Sequence, residues 1–323
     1  MQSESYSSIK YWALFLCVTF LFYLAPAIAL ETQANQSILF IMSKDAPAYS
    51  QVVDFVESNL SATRRSYSFS RLLKNDSSEL AERLKDADII VTVGAGATET
   101  AMKEKPVQPL IAALITDSAF SALANNYYGS TPQALAARVS VICLDQPVQR
   151  SIKLAKLLVP SASSTGLMLG PASQGRGEEF SQYASEVGLT ANLVNIESSD
   201  NPILAIEPVL AKSDVFIPVP DSRLINIASA KWILQLSYRY RIPVIAYSKT
   251  YLNAGALAAI YSSPENVGRQ TSELILNQST DITSKGGAHM PAYFSVQFNT
   301  TVAGHLRIPL EETQFYIDRL LDN

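Results

Sequence analysis

Histidine is nearly absent from this chain: His289 and His305 are the two in 323 residues. Neither stands at metal-ligand spacing from another His, Cys or carboxylate, so no zinc site and no metal or cofactor is expected. A Ser-His-Asp device would have to use one of these two, and the Gly-x-Ser-x-Gly turn that exposes a nucleophile is missing. No catalytic residue is therefore assigned, and an exported α/β hydrolase stays open only as a minor alternative. Basic clusters are lacking too: 25 Lys and Arg stand against 29 Asp and Glu, a net charge of −4. That excludes the footprint of a nucleic-acid binder and a polybasic membrane-surface role. What is abundant is apolar: 48% hydrophobic against 17% charged residues, the balance of a folded chain rather than a disordered one.

Much of that apolar character opens the sequence. Lys10 precedes an apolar run over residues 11–24, and Pro26 then stands before Ala27-Ile28-Ala29. This reads as a secretory signal peptide, residues 1–29, cut after Ala29, and places the mature chain in the periplasm. The same run, extended to Leu30, is about the 20 residues that span a bilayer, so an uncleaved membrane anchor remains an alternative. Cys17 lacks the small residues that precede a lipidated cysteine. Cleavage leaves Cys143 alone, so no intramolecular disulfide forms. Its apolar surroundings, residues 139–144, make it a buried structural thiol rather than a nucleophile.

From residue 36 onward, short Ile/Val/Leu runs alternate with segments of helical spacing. Continuous apolar strands of this kind are buried on both faces, as in parallel sheets covered by helices. The length suits two cores rather than one, and a seam falls at Leu144-Asp145-Gln146-Pro147. The fold class read from this is α/β, two Rossmann-like lobes with parallel sheets flanked by helices. No close sequence repeat is visible between the halves.

Ligands in open α/β sheets bind outside the carboxyl ends of the strands, and four strand-to-helix junctions carry suitable groups. Gly94-Ala-Gly96-Ala-Thr98-Glu99 imitates a dinucleotide loop but has Glu99 where the third glycine belongs, which would repel a pyrophosphate. Its Thr98 hydroxyl faces a cleft or caps a helix. Gly170-Pro-Ala-Ser-Gln-Gly-Arg-Gly177 offers Ser173, Gln174 and Arg176. Pro218-Val-Pro220-Asp221 places Asp221 where it caps a helix or pairs with a cationic ligand group. Tyr247-Ser248-Lys249-Thr250-Tyr251 is the fourth. Tyr127, Tyr128, Tyr247, Tyr251 and Tyr261 are candidate aromatic walls.

The second half resembles the ABC-transporter substrate-binding family whose better-known members bind aromatic amino acids. The resemblance is carried by Asp214-Val-Phe-Ile-Pro-Val-Pro-Asp221, Ile242-Pro-Val-Ile-Ala-Tyr-Ser248, Ala254-Gly-Ala-Leu-Ala258 and Asn266-Val-Gly-Arg-Gln-Thr271, in the family's order. It implies a type I periplasmic-binding-protein fold, a hinge-linked clamshell with three crossings between lobes. It divides the chain into an N-terminal lobe of residues 36–145 plus about 256–285 and a C-terminal lobe of 146–255 plus about 286–323. It puts Asp221 in the place of the family's cleft aspartate, Thr98 near its first-lobe Thr/Ser, and Ser248 near its polar residue after the Ile-Pro-Val strand. The family's Thr-Asp-Pro element survives only as Thr116-Asp117-Ser118, which brings in Asp117, and its His-Pro element after the first strand is replaced by Ser43-Lys44-Asp45-Ala46-Pro47. With Ser173, the expected ligand-binding set is Thr98, Asp117, Ser173, Asp221 and Ser248. The expected function is capture of a small solute, foremost an amino acid, aromatic or aliphatic, for a membrane permease, by a monomer that binds no nucleic acid. A sensor or interaction module of the same fold, reporting to a membrane partner through an altered pocket, is the alternative.

Overall fold

The computed structural model describes residues 35–221, 224–277 and 285–322. The expected signal segment lies outside them. Strand β1 (Gln36–Met42) is buried from Ile38 onward on both faces. It lies between β2 (Tyr67–Leu73) and β3 (Ile89–Val93), parallel to both, with Ile38 opposite Phe69 and Ile89. Helices α1 (Pro47–Ser61), α2 (Ser77–Asp86) and α3 (Ala95–Lys103) connect these strands onward to β4 (Leu110–Ile115), and α4 (Asp117–Tyr128) and α5 (Thr131–Ala136) lead to β5 (Val139–Cys143). The sheet reads β2-β1-β3-β4-β5, with short β11 (Ala288–His289) parallel at the β5 edge. The two-residue period of β1 sorts its side chains. Ile38, Phe40 and Met42 pack with Val52, Val53 and Val56 of α1, whereas Leu39 and Ile41 join Leu80 and Leu84 of α2 and Ala97 and Ala101 of α3.

The second half repeats the plan. After α6 (Val148–Leu158) come β6 (Ser164–Leu169), a 3₁₀ turn (Gln174–Arg176), α7 (Gly177–Glu186), β7 (Thr190–Asn195), α8 (Ile203–Leu210) and β8 (Val215–Phe216). Then follow α9 (Ile227–Tyr240), β9 (Ile245–Ala246), α10 (Lys249–Asn253) and β10 (Ala258–Tyr261). The order β7-β6-β8 passes through a parallel bridge, Phe216 to Val244, into β9-β10, and antiparallel β12 (Ser295–Phe298) closes the edge. Each lobe thus has its first strand inside, flanked by its second and third, the arrangement that creates a switch point. Two further cores, separate from those of the first lobe, cover the two faces of this sheet.

One polar device recurs at the same spacing in both lobes. The Asp88 carboxylate, just before β3, accepts from the Ser37 N–H (2.7 Å) and hydroxyl (2.9 Å) at the start of β1, 51 residues away. The Asp214 carboxylate, just before β8, accepts from the Ser163 N–H and hydroxyl (both 2.9 Å) at the start of β6, also 51 residues away. Each pins the third strand to the first and fixes the register between them. The backbone preserves a repeat that the apolar sequence does not display.

The chain crosses between lobes near residues 144–147, 262–263 and 290–294. Strand β10 pairs with β9 and β12, so residues 258–261 belong to the second sheet, and β11 pairs with β5, so 288–289 belong to the first. Both differ from the sequence-based boundaries near 255 and 285. A short apolar strand reads alike in either sheet, and pairing alone decides. Between the second and third crossings α11 (Pro264–Asn277) packs on α1. A Cβ at Gly268 would stand 2.9 Å from Phe55 Cβ and 3.1 Å from the Val52 carbonyl oxygen, so glycine permits this close approach. Helices α12 (Thr300–Leu306) and α13 (Thr313–Leu321) end the chain against the second lobe.

The three crossings are tied together. The Gln146 amide donates to the Ser262 hydroxyl (3.0 Å), which donates to the Tyr293 carbonyl (2.9 Å). Arg150 donates to the Gln146 side-chain oxygen (3.0 Å) and the Pro291 carbonyl (2.7 Å), and lies 4.3 Å over the Phe294 ring. Burial lowers the pKa of its guanidinium.

Candidate functional site

The two switch points differ. In the first lobe, Gly94 takes φ +91, and a Cβ there would lie 2.6 Å from the Tyr49 ring and 2.7 Å from Ser43 Oγ. Ser43 Oγ accepts from the Ala97 N–H (2.7 Å). The Thr98 hydroxyl donates to the Gly94 carbonyl (3.0 Å) and lies 2.9 Å from Thr92 Oγ1, completely buried. This junction spends its polar groups on its own turn, and Thr98 neither caps α3 nor reaches a cleft.

The second-lobe switch point, between the carboxyl ends of β6 and β8, is built around a carboxylate. Ser173 Oγ accepts from the Gly170 N–H (2.9 Å) and donates to Asp221 Oδ2 (2.9 Å). The Ala172 N–H also donates to Asp221 Oδ2, at 3.1 Å. A Cβ on Gly170 would fall 2.7 Å from Asp221 Oδ2, so the glycine makes room for the carboxylate. Asp221 is 3% exposed, and that remaining edge faces a cavity.

This cavity, about 490 Å³, lies between the lobes. Thr116, Ser118, Ala119 and Ala122 come from the start of α4 in the first lobe, and Ala172, Pro220, Asp221, Ile225 and Tyr247 come from the second. Thr116 caps α4 by accepting from the Ala119 N–H (3.3 Å), and its hydroxyl lies 3.4 Å from that of Ser118. Tyr247 is the aromatic wall, its phenol pKa raised by burial. Among the described residues, the lining combines apolar surface, two small hydroxyls and one carboxylate, and includes no Lys or Arg. Such a site suits a small solute with an apolar body and a cationic or hydrogen-bond-donating head.

Of the five residues expected from sequence, Asp221 lines the cavity. Ser173 stands directly behind it as the carboxylate's hydrogen-bond partner. Ser248 caps α10, accepting from the Tyr251 N–H at 3.2 Å, while its neighbour Tyr247 takes the cavity position. Asp117 gives way to its neighbours Thr116 and Ser118, and its own N–H donates to Asp145 Oδ2 (2.6 Å). Thr116 and Ser118 were legible as a helix-capping pattern. Ala119, Ala122 and Ile225 carried no chemical signal.

Asp145 and Arg176 reach across the seam. Their side chains stand 3.9 Å apart, and Arg176 also lies 3.4 Å from the Gln146 carbonyl, to which it donates. Burial raises the Asp145 pKa, against the opposing pull of the Asp117 N–H and the Arg176 charge. Cys143, a buried free thiol, is pushed up to about 12, first by burial and then by the charges of Asp117 and Asp145. Among the described residues, no group of three or more His, Cys, Asp or Glu is placed to hold a metal ion, and no helix is long and apolar enough to cross a membrane.

Known structures share this architecture. One is an ABC domain from Streptococcus pneumonia in complex with L-Trp (18% identity, TM-score 0.57, covering 87% of this chain and 98% of that one). Another is a ligand-free, open substrate binding protein with adhesive properties from Clostridium difficile (18%, TM-score 0.66, 86% and 97%). A third is an arabinose binding protein from Geobacillus stearothermophilus (13%, TM-score 0.52, 84% and 99%). At these identities the likeness establishes the fold, that of the type I periplasmic binding proteins. No curated protein sequence matches the chain. The family model for ABC transporter substrate binding protein matches residues 66–278, well over half of the sequence. The chain belongs to that family, whose members are binding proteins and not enzymes.

Proposed function

We propose that this protein is exported and captures a small amine-bearing solute, foremost an amino acid, between its lobes for delivery to a membrane permease. The carrying observation is Asp221, a nearly buried carboxylate whose remaining exposed edge faces the interlobe cavity. Its Oδ2 accepts from Ala172 and Ser173, which holds the carboxylate in place at the cavity wall. The ligand's apolar part lies against Tyr247, Ile225 and the alanines of α4, and Thr116 and Ser118 supply hydrogen bonds from the opposite lobe. The hinge cluster of Gln146, Ser262 and Arg150 lets the lobes close over the solute while keeping the crossings in register. The resemblance in fold to an L-Trp complex is in keeping with the amino-acid class.

Thermal unfolding against a panel of amino acids and sugars tests the reading. A ligand that binds only the folded state stabilises it by about 2.7 kcal/mol at a hundredfold excess over Kd. The expected result is a shift with an amino acid that is lost in Asp221→Asn. A shift with sugars alone, or with nothing in the panel, overturns it.

A further inference from the structure

A groove of about 830 Å³, larger than the interlobe cavity, runs along the flank of the second lobe. One wall is a stripe of α9: Ile227, Ala230, Lys231, Leu234, Gln235 and Tyr238. These positions follow i, i+3, i+4, i+7, i+8, i+11, a single face of one helix. No described element covers it: Ile227 is 92% exposed and Tyr238 60%. Such a face on an otherwise well-packed helix marks an interaction surface. Thr250 and Tyr251 of α10 form the opposite wall, with Val302 of α12 at one end. The Tyr251 ring stacks on Tyr247 (5.9 Å between centroids, 15° between planes), so the groove and the interlobe cavity share one tyrosine wall.

Lys231 is the charged residue among those lining the groove, and Lys249 directly precedes Thr250 of its far wall. Residues 224–264, which supply both walls of the groove, contain Lys231, Arg239, Arg241 and Lys249 and no Asp or Glu. This stands out in a chain of net charge −4. On α8, packed against α9, Glu207 is engaged by the Tyr240 hydroxyl, and Tyr240 is off the groove stripe.

We propose that the groove docks an acidic amphipathic helix of a partner protein. The 14-residue α9 presents a trough about 21 Å long at 1.5 Å per residue, the length of a few helical turns. Helix-in-groove recognition reads apolar anchors at this spacing. Lys231 and Gln235 interrupt the apolar stripe, which suits a helix with matching polar positions better than an acyl chain. A second copy apposing the same face would bring Lys231 against its own counterpart.

The test uses the full chain and a dye-labelled amphipathic peptide of about 18 residues, Leu on one face and Glu on the other, long enough to form helix. Its counterpart carries Lys in place of Glu. Fluorescence anisotropy is expected to show the acidic peptide binding at least about tenfold more tightly than the basic one. The Lys231→Glu/Lys249→Glu variant should reverse that preference, and Ile227→Glu should abolish binding. All three positions are exposed, and circular dichroism melts verify folding. None lines the interlobe cavity, so solute binding there is scored separately. Equal affinity for the two peptides, or binding indifferent to the Lys reversal, overturns the proposal. So does binding to phosphatidylglycerol vesicles but not to the peptide, or a dimer, seen by light scattering, that Ile227→Glu dissolves while the peptide fails to bind.

Discussion

Gln146 and Ser262, 116 residues apart in sequence, meet side chain to side chain at 3.0 Å, where the first and second crossings between the lobes run together. The same Ser262 hydroxyl donates to the Tyr293 carbonyl of the third crossing. One hydroxyl therefore couples all three connections. Its removal leaves a part-buried amide and a carbonyl without that partner, and unsatisfied groups of this kind cost about 1–3 kcal/mol each at full burial. Ser262→Ala is expected to lower unfolding stability by about 1–2 kcal/mol in urea titration, whereas Ser263→Ala, whose hydroxyl serves only the start of α11, should cost less. Equal losses would show that the crossings are not coupled through Ser262.

Arg150 completes the cluster, and its planar fork is used: one nitrogen serves Gln146 and Pro291 while the plane lies over Phe294. A lysine keeps the charge but cannot reproduce the stacking. Arg150→Lys should therefore destabilise almost as much as Arg150→Met, by about 1–3 kcal/mol. Full retention of stability by the lysine variant would reduce the role of Arg150 to charge alone.

The Asp214 clamp gives a pH prediction. The Ser163 N–H, followed by the hydroxyls of Ser163 and Ser164 and the Ser164 N–H, lowers the Asp214 pKa below the usual carboxylate range despite some opposing burial. A carboxylate whose folded-state pKa is depressed stabilises the fold above its unfolded pKa, about 3.9, and loses that contribution as pH falls through the folded value. Wild type should exceed Asp214→Ala in stability at pH 7, and the gap should close in strong acid. A gap of constant size across that range would contradict the assignment. Asp214 is exposed, so the effect is modest.

Cys143 is expected to resist thiol reagents. Its thiol is 3% exposed and pushed up to about 12, and only the thiolate reacts. Labelling at pH 8 followed by peptide mapping should find Cys143 unmodified in the native protein and modified in urea. Rapid native labelling would mean that the seam opens far more readily than its packing implies.

Much of this was legible in the residues. The alternation of apolar strands and helices gave the two lobes, and Asp221 was marked by its place at the end of a strand. Thr98 looked equally suited to a cleft, but its hydroxyl chooses the Gly94 carbonyl four residues back, a choice set by the turn's geometry. The family resemblance pointed to Asp117 within Thr116-Asp117-Ser118, whereas the helix start turns its two neighbours to the cavity. The apolar run of β10 fits either sheet, and only its pairing with β9 and β12 settles the crossing. Hydrogen bonds such as Gln146 to Ser262 join distant residues with no local pattern to announce them.

The central claim is that Asp221 receives the amine of a small solute between the lobes. Isothermal titration of the amino acid that most raises the melting temperature, against the same compound N-acetylated, tests it most directly. Acetylation removes the positive charge and leaves the apolar body intact. The account predicts that the free amine binds and that the acetylated form is weakened by about a hundredfold, about 2.7 kcal/mol, as expected when a buried carboxylate loses its charged partner. Equal affinity for the two compounds would contradict it and remove Asp221 from amine recognition.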